Sequence, residues 1–150
     1  MKLNLGAGNS IKAGYINHDL NKHRKEIDWV FDLNEKNWGS YWLHEYKMVD
    51  EIIADDVIEH LDDAVSFMNN CWNVLEPKGR LKIKACGWQN PNFFVDITHK
   101  KGYDIRSFDY FDPSMDLGKQ YGYYTDLKWK IIDKHYDRRR NIIIELEPIK

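Results

Sequence analysis

Hydrophobic and polar positions alternate from the start of the chain. Lys2-Leu3-Asn4-Leu5 has the two-residue period of a strand and runs straight into Gly6-Ala7-Gly8-Asn9, which reads as a tight loop. Two more β-prone stretches, 15–17 and 28–31, lead to Asp19 and Asp32, and residues 49–54 predict a fourth strand ending at Asp55 and Asp56. The pattern then changes period. Leu61, Ala64, Val65, Met68, Cys71, Trp72 and Leu75 fall on one helical stripe, with Asp62 and Asp63 expected in its first turn and Pro77-Lys78-Gly79 expected to end it. A fifth strand at 81–85 alternates Leu81, Ile83 and Ala85 with Lys82 and Lys84. Residues 104–111 predict a helix, and 128–136 with 141–147 predict an antiparallel hairpin around Asp137-Arg138-Arg139-Arg140. Strands interleaved with helical segments and closed by a hairpin predict an α/β sheet with an antiparallel edge.

Length and composition narrow the possibilities. A chain of 150 residues with 43% hydrophobic and 31% charged positions suits one globular domain over 1–150. The formal net charge of -2 lacks the basic field of a dedicated nucleic-acid binder, so nucleic acid is disfavoured as a partner. No apolar run is long enough for a membrane span and the N-terminus lacks the order of a signal peptide, so no membrane partner and a cytoplasmic location are expected. Cys71 and Cys86 form neither a disulfide framework nor a zinc motif and are expected to be reduced and buried. Six Trp and nine Tyr exceed what a minimal core needs. Trp38, Tyr41 and Trp42 read as core from a short helix, whereas Trp88, Phe93 and Phe94 after the fifth strand are expected to wall an acceptor site.

The chemistry concentrates at the ends of the predicted strands. Glycines after the first strand let a ligand approach the backbone, and open α/β sheets bind ligands beyond the carboxyl ends of their strands. Asp19, Asp32, Asp55 and Asp56 would reach that same edge, where carboxylates can accept hydrogen bonds from ribose hydroxyls or an adenine amino group. The dinucleotide fingerprint is not met, because Ile11 stands where a third glycine belongs and Asp19 comes early. No Gly-Lys-Ser/Thr phosphate loop is present either. His60 and His99 are the candidate acid/base residues, and neither belongs to a hydrolytic Ser/His/Asp or Cys/His arrangement. The run Arg138-Arg139-Arg140 reads as a solvated hairpin cap, with phosphate binding as its alternative.

Four stretches, 3–9, 50–63 (DEIIADDVIEHLDD), 72–83 (WNVLEPKGRLKI) and 96–111 (DITHKKGYDIRSFDYF), together give the chain a family likeness. The sequence resembles the small class I S-adenosylmethionine-dependent methyltransferases of the methyltransferase type 11-like kind. The resemblance implies a Rossmann-like sheet, to which this sequence adds the antiparallel C-terminal hairpin and, as a departure from the family, reduced helices on one face. It implies S-adenosylmethionine as cofactor and S-adenosylhomocysteine as product. Backbone around Gly6, Ala7 and Gly8 would pass the methionine part, Asp19 would hold the ribose hydroxyls, Asp32 with Leu33 would meet adenine and Ala54, Asp55 and Asp56 would close over the methionyl end, with Asn4, Asn9 and Leu20 also at the cofactor. Methyl transfer is the implied reaction; the resemblance does not specify the acceptor, and an oxygen or nitrogen of a small-molecule or glycan-like compound is expected. The alternatives are a non-catalytic cofactor-binding module working with a partner, and a metal-assisted RNA 2′-O-methyltransferase. No Asn-Pro-Pro-Tyr-like or Pro-Cys motif points to DNA bases.

Two further expectations follow. The intervals after the first two strands leave little room for helices, so one sheet face should be poorly covered and a homodimer is expected there. Asp56, Glu59 and His60, at i, i+3 and i+4 of a helix start, with His99 resemble the divalent-ion set of small-RNA 2′-O-methyltransferases. The shorter Asp56 and the metal-free relatives sharing Glu-His-Leu disfavour that ion.

Overall fold

The computed structural model describes residues 1–150. Seven strands, β1 (Lys2–Leu5), β2 (Ile16–Asp19), β3 (Trp29–Val30), β4 (Val49–Asp55), β5 (Leu75–Cys86), β6 (Lys128–Tyr136) and β7 (Asn141–Ile149), form one sheet in the order β3-β2-β1-β4-β5-β7-β6. The first five pair in parallel, and β7 inserts antiparallel between β5 and β6. The expected α/β sheet with its C-terminal hairpin is therefore what the chain forms.

Register makes the two faces of this sheet opposites. Leu3 pairs with Ile52, Ile52 with Leu81 and Leu81 with Leu146, so one apolar row crosses four strands. Leu5, Ala54, Ile83 and Ile144 form a second row on the same face. Against these rows pack α1 (Trp38–Glu45) and α2 (Ala64–Val74), through Trp38, Trp42, Phe67, Met68 and Cys71, all buried. Each such large side chain removed from water contributes about 1.5–3 kcal/mol, less the entropy of ordering it. The opposite face carries no helix. Its residues form a charged ladder in which Glu51 accepts from Lys82 at 2.6 Å and lies 3.3 Å from Lys2, while Arg80 bridges Glu145 and Glu147. Burial works against the Glu51 charge, but bonds from Lys82, Tyr15 and Lys2 outweigh it and hold the carboxyl at about 2. The face expected to be poorly covered is thus uncovered, and ion pairs satisfy it.

Several boundaries differ from the periodicity. The helix expected from Leu61 begins at Ala64, and Asp63 caps it by accepting from the Ser66 N–H at 3.0 Å, so Asp62 and Asp63 precede the first turn. It stops at Val74. Leu75 already pairs with Val49, and Pro77-Lys78-Gly79 lies inside β5, at a register irregularity where Lys78 has φ +66°. The helix expected at 104–111 is present as a 3₁₀-helix, Ile105–Phe111, opened by an Asp104/Ser107 capping box. Its inward residues Ile105, Phe108 and Phe111 are spaced by three, which matches three residues per turn better than 3.6. A last short helix, α3 (Asp116–Tyr121), follows, and no helix of the structure is long and apolar enough to cross a membrane.

Candidate active site

The carboxyl ends of β1, β2 and β4 lie along one edge because these strands run parallel. The chain leaves β1 through Gly6 at φ +61° and Gly8 at φ +51°, backbone that glycine adopts without steric cost. A Cβ on Gly6 would sit 2.5 Å from Val57 Cγ2, so the residue must also be small. Two side chains from the end of β2 brace this loop. The Gly8 N–H donates to Asp19 Oδ2 at 2.8 Å, and the Gly6 N–H donates to His18 Nδ1 at 3.3 Å. His18 then donates from Nε2 to the Phe31 carbonyl at 2.9 Å, tying the glycine loop to the end of β3. Burial lowers the His18 pKa and keeps the ring neutral, the form this bonding pattern needs.

These elements enclose a cleft of about 440 Å³, lined among others by Gly6, Asp19, Leu20, Asp32, Leu33 and Asp56. Six of the eleven residues expected at a cofactor therefore meet there. The other five do not line it. Asn4 is buried, donating to the Ser10 carbonyl and to Asn17 Oδ1, and Ala7 and Gly8 brace the loop through their backbone. Asn9 faces solvent beside Arg24. Asp55 points to the uncovered sheet face, 3.6 Å from Lys12, because strand alternation sends it away from Ala54. The chain reverses this at Asp56, whose φ of +56° returns its side chain to the cleft edge. His18, Phe31 and Val57 line the cleft without having been singled out in the sequence. A histidine one residue before the strand-end aspartate was the available signal for His18.

A second cleft of about 630 Å³ lies on the β5 side and shares Asp56 and His60 with the first. Its wall is the loop after β5, through Asn90, Asn92, Val95, Asp96, Ile97 and His99, with Arg139 and Asn141 from the hairpin. The aromatics expected as walls do not line it. Trp88 turns away to donate to Asp104 Oδ2, Phe94 is 82% exposed, and Phe93 packs beneath His99 with ring centroids 5.3 Å apart. The cause is a 3₁₀-turn, Pro91–Phe94, capped by the Asn90 side chain, which rotates the aromatics off the cleft and leaves the asparagines facing it.

His60 and His99 come together, with ring centroids 4.8 Å apart. His99 donates from Nδ1 to the Phe93 carbonyl at 2.8 Å, leaving Nε2 as an acceptor. His60 sits in a relay. Thr98 Oγ1 donates to Asp96 Oδ1 at 2.6 Å, so its oxygen accepts from His60 Nδ1 at 3.0 Å, and Nε2 of His60 is likewise left with its lone pair. Beneath them Glu59 is wholly buried. Its Oε1 accepts from the Cys86 N–H at 2.8 Å, and its Oε2 has no partner. Burial pushes the Glu59 carboxyl above its ordinary range. Ligand atoms of Glu59, His60 and His99 lie within 4.8 Å of one another. Asp56, expected as a fourth member, is not among them. It precedes the 3₁₀-turn Ile58–His60 in a left-handed conformation, so helical spacing does not apply, and it pairs with Lys84 at 2.6 Å. Both cysteines are free and buried, and burial raises the thiol of each.

No family profile and no curated protein matches the chain. Solved structures do. The chain is similar to the complex between the Haloferax volcanii Trm112 methyltransferase activator and a proposed methyltransferase, with TM-score 0.66 and 8% identity over 99% of this chain and 82% of that one. It is similar to an S-adenosylmethionine-dependent methyltransferase from Clostridium acetobutylicum, with TM-score 0.62 and 10% identity over 97% and 82%. It is also similar to the trans-methyltransferase CalH in complex with SAH, with TM-score 0.61 and 15% identity over 99% of this chain and 51% of that one. The chain therefore has the fold of the S-adenosylmethionine-dependent class I methyltransferases.

Proposed function

We propose that the chain binds S-adenosylmethionine in the Gly6/Asp19/Asp32 cleft and transfers its methyl group to an oxygen or nitrogen of a small-molecule or glycan-like acceptor held in the second cleft. The observation that carries this reading is His60, which lines both clefts and is oriented by the Asp96–Thr98 relay with Nε2 free to take a proton. The first cleft fits the cofactor. Its acidic rim of Asp19, Asp32 and Asp56 suits a singly positive sulfonium compound, and the missing side chain of Gly6 lets Val57 close against the glycine loop as part of the cleft wall. Asp32 uses Oδ1 on Asn34 and keeps Oδ2 for the adenine end.

When bound, the cofactor supplies an electrophilic methyl group on sulfur. His60 removes the acceptor's proton at Nε2 as the new bond to carbon forms, and the electrons of the broken carbon–sulfur bond remain on sulfur. The imidazolium so formed is stabilised through Thr98 by Asp96, while the exposed Asn92 offers an amide to orient a hydroxylated acceptor. The test is an acceptor screen read by S-adenosylhomocysteine formation. A wild-type chain that binds the cofactor yet turns over no acceptor is instead a cofactor-binding module that serves a partner.

One observation favours a second reading, in which a divalent ion rests on Glu59, His60 and His99. The partnerless Oε2 of Glu59 and two histidines, each donating from Nδ1 and keeping Nε2 free, form a set suited to Mn²⁺, Co²⁺ or Zn²⁺. Such an ion would lower the pKa of acceptor hydroxyls. Activity abolished by EDTA and restored by Mn²⁺, with anomalous scattering between these residues, supports it. Activity that survives EDTA leaves His60 as the base.

A further inference from the structure

The turn Arg138-Arg139-Arg140 joins β6 to β7, and as a free hairpin cap it would need no fixed place. Here it is clamped. Asp137 Oδ1 accepts from the Arg139 and Asn141 N–H groups at 2.8 and 2.9 Å, and Asp137 Oδ2 accepts from Asn141 Nδ2 at 2.9 Å. Asn141 in turn accepts from Asn90 at 2.7 Å, both residues being buried, so the turn is locked to the loop that walls the second cleft. A Cβ on Gly87 would come within 2.3 Å of the Arg140 carbonyl, and Arg140 itself has φ +65°. Only a residue without a side chain lets the two segments approach this closely.

The clamp sets the arginines over open polar space. Arg139 lines the second cleft, and all three arginines line an adjoining one that shares Asn90, Asn92 and Arg139 with it and contains no hydrophobic residue. Arg80 on the sheet is neutralised by Glu145 and Glu147, but none of the three turn arginines enters an ion pair. Arg140 lies over the Tyr136 ring, at 5.7 Å. Of the acids that face the same space, Asp137 is bonded to the turn amides, Asp96 to Thr98 and Asp56 to Lys84, while Glu59 lies buried at the histidine end with one oxygen on the Cys86 N–H. The second cleft therefore has histidines at its inner end and, at its outer end, Arg139, where it opens onto the adjoining space lined by all three arginines. Guanidinium groups bind phosphate oxygens through paired, charge-assisted hydrogen bonds.

We infer that the acceptor is a hydroxylated small molecule carrying a phosphate group, its phosphate on Arg138 and Arg139 and its reacting hydroxyl at His60. This rests on the methyl-transfer reading of the same site. The phosphate could belong to a sugar monophosphate or to the diphosphate of a nucleotide sugar, which share this chemistry.

Calorimetry tests it with pyrophosphate, glucose 1-phosphate, UDP-glucose, unphosphorylated glucose and a single-stranded RNA decamer, on wild type and the R138Q/R139Q double variant. The variant must keep the wild-type melting temperature and S-adenosylhomocysteine affinity, which separates this test from that of the cofactor cleft. The expected result is saturable wild-type binding of pyrophosphate and of at least one phosphorylated sugar, weakened about ten- to a hundredfold in the variant, with glucose not bound. Tighter glucose 1-phosphate indicates the monophosphate class, and tighter UDP-glucose the nucleotide sugar. No binding of any phosphorylated probe, or equal binding by variant and wild type, overturns the proposal. So does RNA bound more tightly than the phosphorylated small molecules.

Discussion

The two clefts that meet at His60 are built in opposite ways. The first is made by strand ends. Gly6, Asp19 and Asp32 each lie at or just beyond a carboxyl terminus of a parallel strand, and the sheet hydrogen bonds that align the strands also align these residues. The second is made by connections. Its wall comes from residues 90–99 and its outer rim from 137–141, segments brought together where β7 pairs antiparallel with β5 up to Cys86 and Asn141 and held by the Asn90–Asn141 bond. A cleft assembled from strand ends has little freedom to vary, whereas one assembled from loops can change its acceptor without disturbing the sheet. On the proposed reading, this difference puts the cofactor in the first cleft and acceptor choice in the second.

The largest expected effect lies where the clefts join. His60→Ala should lower turnover about a hundred- to ten-thousandfold, far more than it weakens cofactor affinity. Thr98→Val should give a smaller loss and shift the pH profile, and Thr98→Ser should restore it, because only the hydroxyl relays Asp96 to the ring. Equal effects of Val and Ser on the profile would remove the relay and leave Thr98 a packing residue.

Within the first cleft, Gly6→Ala combines a positive φ with contact against Val57 and should destabilise the fold by about 1–3 kcal/mol. Gly14, also at positive φ but with nothing near its Cβ position, should cost less when replaced by Ala. Chemical denaturation of the two variants separates the close approach from backbone conformation, and equal losses would contradict it.

His18 gives the first cleft a pH dependence. Burial lowers its pKa below the ordinary 6.5. Below about pH 6.5 the unfolded chain takes up a proton that the folded ring resists, so this part of the stability is intact above that pH and declines as pH falls. The melting temperature of wild type should drop more steeply between pH 7.5 and 5.5 than that of His18→Asn, even if the variant is less stable throughout. Parallel curves would mean that His18 titrates alike in both states.

The smallest effect concerns the second cleft's expected aromatic wall. Phe94→Ala should change stability by no more than about 0.5 kcal/mol and leave acceptor KM unchanged, since the ring is outside the cleft. Asn92→Ala should raise KM in the same assay. A strong effect of Phe94 would restore it as a wall that closes on the acceptor.

This comparison also explains what the sequence made legible. The sheet, its hairpin and the Gly6/Asp19/Asp32 set were readable because alternation, glycine and strand-end carboxylates are local signals. Asp55 and Asp56 could not be told apart, since a left-handed residue after a strand decides which of two neighbours faces the site. The same turn separated Asp56 from Glu59 and His60, which helical spacing had joined. The Trp88–Asp104 bond that turns Trp88 aside, and the Asn90–Asn141 bond that anchors the arginines, depend on partners far apart in the chain. The uncovered face had the opposite fate: its alternating charges were visible, but the ion pairs that satisfy them appear only with strand register.

The central claim, a cofactor cleft at the carboxyl ends of the strands, is tested most directly by calorimetric titration of S-adenosylhomocysteine into wild type, Asp19→Ala and Asp32→Ala. The account predicts one-to-one binding by wild type, weakened about ten- to a hundredfold by Asp19→Ala through loss of a charged acceptor for the ribose hydroxyls, with a smaller loss for Asp32→Ala. No binding by wild type, or unchanged binding by both variants, would contradict it.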